Sequence, residues 1–129
     1  MPTELKMLVW SILLGLGYVM LAAALVTARR GVKWNASNRD APVEPLTGAP
    51  ARAQRANANF LETFPFFAAA VLAVVALERQ NPHTALATQL YFWARLAYLP
   101  VYVIGIPYLR SAIWLVSLGA ILQLLWSLS

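Results

Sequence analysis

The chain contains no cysteine and only one histidine, His83. Without cysteine there are no disulfides, no thiolate metal sites and no cysteine nucleophile, so any thiol chemistry must use a thiol from outside. A lone histidine in a short polar loop cannot assemble a metal centre, and His83 is read as a solvated side chain. Neither a glycine-rich phosphate loop nor a nucleophile elbow is present. Acidic residues are also scarce, five against ten Lys and Arg, for a formal charge of +5. That excess does not describe a nucleic-acid binder. The basic residues stand at the ends of apolar runs or inside them, where topology signals and buried charges belong.

Apolar side chains are what the chain has in plenty. Of 129 residues, 60% are hydrophobic and 12% charged, a balance outside the usual range for a soluble domain. A hydrocarbon core about 30 Å thick takes roughly 20 helical residues to cross. Four stretches are long enough: Met7 to Ala28, Ala53 to Leu77, Ala85 to Ile106 and Tyr108 to Leu128. With flanking residues the helices are placed at 5–28, 53–77, 85–106 and 108–128. The expected fold is an all-α integral membrane protein, one four-transmembrane-helix bundle over residues 1–129. Lys6 before the first stretch and Ala22 to Ala24 within it have the look of a secretory signal, but the apolar run exceeds the roughly 7 to 15 residues of a signal core. It is read as a retained helix, in which Gly15 and Gly17 allow close packing.

The one long loop, 29–52, is rich in Asn, Ser, Asp, Pro and Gly between Arg29 and Pro50, and reads as turns rather than helix or strand. It carries Arg29, Arg30, Lys33 and Arg39, with Arg52 and Arg55 just beyond, whereas the loop Glu78 to His83 offers only Arg79 and the N-terminus only Lys6. The positive-inside rule then puts the first and third loops in the cytoplasm and both termini on the other side, and the Asn35-Ala36-Ser37 sequon is expected to be unmodified. Pro65 and Pro100 lie inside the second and third helices and free the carbonyls of Leu61 and Leu96, which need partners from neighbouring helices or water. Trp10, Trp34, Tyr108, Trp114 and Trp126 read as interface or lipid-facing aromatics.

The polar residues inside the apolar runs are not scattered. Arg52, Arg55, Asn59 and Glu62 are spaced three, four and three apart, which at about 100° per residue confines them to an arc of roughly 80°. Tyr91, Arg95, Tyr98 and Tyr102 are spaced four, three and four and span about 60° on the third helix. Two such stripes in lipid imply a shared polar interior. An unpaired charge near the bilayer centre costs roughly 2.5 to 3.5 kcal/mol on insertion scales, so Glu62 and Arg95 are expected to pair, an arrangement that would by itself serve only helix register. It leaves Arg52, Arg55 and Arg110 without acids. Lipid-phosphate contacts or topology would account for some of them. Together with Arg29 and Arg30 they stand at the mouth of one cavity, and fixed cations in excess beside a polar interior make an anion site.

RAQRANANFLETFPFF, from Arg52 to Phe67, resembles the second-helix signature of the membrane-associated proteins in eicosanoid and glutathione metabolism, the MAPEG family. That family includes the microsomal glutathione transferases and the leukotriene and prostaglandin synthases. TARRGVKW at the end of the first helix, and YFWARLAYLPVYVIGIPYLRSAIW across the third and fourth, resemble their family counterparts in order and spacing. The resemblance implies a homotrimer that binds glutathione, as co-substrate, between neighbouring subunits near the cytoplasmic face. It implies that Arg55, Asn59 and Glu62 hold the peptide's polar groups, with Arg52 at the rim, Arg95, Tyr98 and Tyr102 in the pocket, and Arg30 contributed by the first helix. Arg110, followed by Ser111, matches the arginine that stabilises the glutathione thiolate in the synthases.

The function so implied is that of a glutathione-dependent membrane transferase or peroxidase acting on lipophilic electrophiles delivered through membrane lipid. The alternative is a non-enzymatic membrane protein that holds a lipid or anionic small molecule in the same pocket, and a third reading is a structural bundle. Thr63 stands where some relatives carry tyrosine, the third loop is short, and neither a basic tail nor a retrieval signal precedes Ser129. These features lead to the expectation of a short bacterial-type relative in the inner (plasma) membrane.

Overall fold

The computed structural model describes residues Met1–Ser129 and is helical throughout. Helix α1 covers Thr3–Arg30, α2 Val32–Ala36, α3 Gly48–Ala76, α4 Pro82–Ile104 and α5 Pro107–Trp126. The four long helices overlap the four apolar stretches, and each begins earlier than hydropathy alone placed it. Two corrections concern loop 29–52, which contains the one-turn helix α2 and gives up its last residues to α3. Composition hid α2 because its stability is tertiary: the Trp34 ring is flanked by the guanidinium carbons of Arg30 at 4.8 Å and Arg39 at 5.4 Å. Arg29 and Arg30 also donate to the carbonyls of Thr47 and Glu44, drawing the loop back over the end of α1.

Three of the helices, α1, α3 and α5, are long and apolar enough to cross a membrane. The other long helix, α4, has 23 residues but carries the tyrosine and arginine stripe, which lowers its hydropathy. Its ends are firmly set. Asn81 accepts from the backbone N–H groups of His83 and Thr84 while the Thr84 hydroxyl accepts from Asn81 N, a reciprocal cap, and Pro82 follows at the position where its missing N–H is harmless. At the other end Gly105 adopts φ 94°, ψ 42°, a left-handed conformation that suits glycine, and Pro107 starts α5 at once.

Within the bundle α4 lies against α1, α3 and α5, α3 also touches both, and α1 and α5 do not meet. The apolar core divides into two parts. Near the turn that carries Asn81, Leu8, Phe67, Val71, Val74, Tyr91, Ile121 and Leu124 interlock. Toward Gly105 the core is smaller and aromatic, built on Tyr18, Ala56, Phe60 and Tyr98. A chain of rings joins the two: Tyr18 to Phe60 at 4.6 Å between centroids, Phe60 to Phe64 at 5.2 Å, Phe64 to Phe67 at 6.2 Å, and Phe67 to Tyr91 at 3.8 Å.

Helix α1 meets α3 and α4 along Glu4, Leu8, Ser11, Gly15, Tyr18, Ala22 and Val26, its buried residues. Two polar contacts fix it lengthwise. Near the Asn81 end the Thr84 hydroxyl donates to the buried Glu4 carboxylate at 2.6 Å, and toward the other end the Tyr18 hydroxyl donates to the backbone carbonyl of Arg95. That carbonyl directly precedes the Leu96 carbonyl freed by Pro100.

Candidate functional site

The two polar stripes meet across the α3–α4 contact. Arg52 Nε donates to the Val103 carbonyl at 2.7 Å, closing the C-terminal turn of α4, and Arg55 Nε donates to the Tyr102 hydroxyl at 3.2 Å. One and two turns deeper, Arg95 Nη2 donates to Asn59 Oδ1 at 2.9 Å and the Thr63 hydroxyl lies 3.4 Å from that of Tyr91. The stripe on α3 is therefore Arg52, Arg55, Asn59 and Thr63, not one ending at Glu62. At about 100° per residue Thr63 lies only roughly 20° around the helix from Arg52, whereas Glu62 is roughly 80° away.

The expected Glu62–Arg95 ion pair is not formed. Glu62 is exposed on the outer face of the bundle, while Arg95 is wholly buried, at 0% exposure. Aromatic faces and one amide take the place of the missing carboxylate: the guanidinium carbon lies 4.3 Å from the Tyr98 ring centroid, 5.4 Å from Phe60 and 5.9 Å from Tyr18. A desolvated cation against ring faces gains up to about 2 kcal/mol.

Two adjoining recesses open near Gly105, and Arg110 lines both. The first, about 280 Å³, is bounded by Arg52, Arg55, Tyr102, Gly105, Ile106, Pro107 and Arg110. Arg110 stands in the first turn of α5, with its guanidinium carbon 4.7 Å from the Tyr102 centroid, and Arg55 approaches the same ring at 5.9 Å. Three guanidinium groups and a helix N-terminus thus border one small space that no carboxylate lines. Unsatisfied N–H groups and the helix dipole add to the attraction for an anion. The second recess, about 370 Å³, is bounded by Asn59, Tyr98, Arg110, Ser111, Trp114 and Leu115. Ser111 donates its hydroxyl to the Pro107 carbonyl at 3.3 Å, which leaves its oxygen able to accept.

Of the residues singled out from sequence, Arg52, Arg55, Asn59, Tyr98, Tyr102, Arg110 and Ser111 line these two spaces. Arg95 lies behind Asn59 and lines neither, and Glu62 also lines neither. Arg30 is on the opposite flank of α3, in a wider crevice of about 620 Å³ with Gln54, Arg55 and Asn57. Two participants were missed, Tyr18 and Thr63. The signal for Tyr18 was present in the recurrence of small and polar residues Glu4, Ser11, Gly15 and Tyr18 along an otherwise apolar helix. No group of three or more His, Asp or Glu is placed to hold a metal ion.

A helical bundle with three membrane-length apolar helices, and with an arginine-rich recess at one end, defines an integral membrane protein. The MAPEG family model matches residues 7–129, nearly the whole chain, and the protein belongs to that family. No curated protein matches the chain.

Proposed function

We propose that the protein is a glutathione-dependent membrane transferase or peroxidase acting on lipophilic electrophiles, with Arg110 stabilising the thiolate. The observation that carries this reading is the position of Arg110 between two unlike recesses. On one side Arg52 and Arg55 offer charge to the carboxylates of a small anionic peptide. On the other, Trp114 and Leu115 offer apolar surface to a substrate arriving from lipid. A thiol held at the junction would meet its electrophile beside a guanidinium. A free thiol has a pKa near 8.5, and a cation in a partly dry site favours the thiolate by about 1.4 kcal/mol for each unit of lowering. Positioning and charge stabilisation then supply most of the catalysis.

Three further features belong to the proposal. Helix α4 is the fourth span, since its polar stripe is turned inward among α1, α3 and α5. The arginine-rich end faces the cytoplasm, in accord with the positive-inside rule, in a bacterial inner membrane. The working unit is a homotrimer. Glu62 supports assembly, because an exposed carboxylate on α3 two turns beyond Arg55 is costly against lipid and is relieved when another subunit covers it. The same packing would bring Arg30 of one subunit to the recess of another. Mass measurement of the detergent-solubilised protein is expected to give three chains per particle, and a monomer at all protein concentrations would remove the intersubunit placement of the site.

The ligand is tested by melting temperature across a glutathione titration of the purified protein, with Arg55→Ala in parallel. A concentration-dependent rise in the wild type, abolished in Arg55→Ala, is the expected result. No rise at millimolar glutathione would transfer the proposal to another thiol or to non-enzymatic binding.

A further inference from the structure

Arg95 is the largest fully buried side chain in the protein, and its guanidinium makes a single hydrogen bond, to Asn59 Oδ1 at 2.9 Å. Its Nε and Nη1 are buried without partners. The residue is held on both sides, by the Tyr18, Phe60 and Tyr98 rings around the guanidinium and by the Tyr18 hydroxyl on its carbonyl. Such a cation is expensive to bury, and a structural filler would not need one.

The chemistry of the contact explains what the cation does. A guanidinium only donates, whereas a carboxamide accepts at Oδ1 and donates at Nδ2. An arginine behind Asn59 therefore permits one orientation of the amide, with Oδ1 toward Arg95 and the N–H groups turned away. An acid behind Asn59 would impose the reverse. Asn59 is itself a wall of the recess that contains Arg110 and Ser111, so its orientation decides whether that wall offers a donor or an acceptor. Resting on the glutathione reading above, we propose that Arg95 is a positioning residue. It fixes the Asn59 amide with its N–H groups toward the recess, and so selects a ligand that presents a carbonyl or carboxylate oxygen at that wall.

A thermodynamic cycle tests this, using Asn59→Ala, Arg95→Met, which removes the donors at similar length, and the double variant, with glutathione affinity read from melting-temperature titrations. Each single variant is expected to weaken binding roughly tenfold, the order of one hydrogen bond to a charged group. If Arg95 acts through Asn59, the double variant binds no more weakly than Asn59→Ala alone. Multiplying losses, or wild-type affinity in a folded Arg95→Met protein, would overturn the proposal. Should Arg95→Met fail to fold, Arg95→Gln decides, since a neutral amide can accept as well as donate and no longer fixes the Asn59 orientation. It is expected to lose roughly tenfold in affinity, and full affinity would overturn the assignment. If glutathione does not stabilise the wild type, the preceding functional reading fails separately. The contact is then decided without ligand by unfolding. In the same cycle, losses in melting temperature that do not add support the contact, and losses that add reject it.

Discussion

Arg110→Ala is expected to lower thiol-transfer turnover at least about tenfold, the effect of losing about 1.4 kcal/mol of transition-state stabilisation, while glutathione still binds through Arg52 and Arg55. Arg110 is the only guanidinium that borders both recesses. Arg52 is engaged at the Val103 carbonyl and Arg55 at the Tyr102 hydroxyl, so neither is free to follow a thiolate into the apolar side. The pH profile gives the loss a recognisable form. A guanidinium favours the anion and lowers the thiol pKa, so the wild type should hold thiolate below the ordinary value near 8.5. Without Arg110 the midpoint moves up toward that value. The variant is then most impaired at neutral pH and recovers part of its rate as the pH passes about 8.5. Unchanged turnover across the pH range would take Arg110 out of the mechanism.

The largest effect on stability is expected at Gly15. A Cβ built there would meet Phe60 Cε1 at 2.7 Å and Cζ at 3.3 Å, too close to be accommodated in place. The ring cannot simply swing aside, since it packs between Tyr18 and Phe64 and forms one wall around Arg95. Gly15→Leu should therefore destabilise the fold by about 1 to 3 kcal/mol or more, as overpacked cores do, and Gly15→Ala by the lower end of that range. Gly17 is the internal control, because a Cβ there meets nothing within 4 Å and alanine is the better helix former by about 1 kcal/mol. Gly17→Ala is expected to be neutral or slightly stabilising. Melting of the three variants in one detergent decides the matter. Equal effects at the two glycines would mean that the α1–α3 contact is looser than its geometry implies.

Much of this arrangement was legible in the chain. Spacing alone put Arg52, Arg55 and Asn59 on one face of the second long helix and Tyr91, Arg95, Tyr98 and Tyr102 on one face of the third, and the two faces do meet. Proline and glycine at 82, 105 and 107 mark the observed ends of α4 and the start of α5. Spacing says which residues share a face, however, and not which residue lies across from them. Opposite charge made Glu62 the natural partner for Arg95, yet it lies beside the exposed Arg55 at the outer edge of the stripe, and the neutral Asn59 and Thr63, within roughly 20° of Arg52 on either side, occupy the contact. Tyr18 was hidden for a different reason. Helix α1 is apolar over most of its surface, and the few small and polar residues of its buried face, Glu4, Ser11 and Gly15, are a fainter pattern than the charged stripe of α3. Arg30 was grouped with the recess through nearness to the same end of the bundle, but within one chain it lines a different crevice, which shares only Arg55 with the recess.

The order of contacts in the bundle also bears on how the protein is made. Arg95 is the most demanding residue to place in lipid, and each group that surrounds it except Tyr98 belongs to an earlier part of the chain: Tyr18 in α1, then Asn59 and Phe60 in α3. When the ribosome delivers α4, its partners have already been synthesised and α1 and α3 can pack without it. α5, which never touches α1, arrives last against a nearly completed surface. The sequence of synthesis thus provides a receptor for the polar helix before that helix needs one, and a chain permuted to begin at α4 would have to insert its arginine with no host.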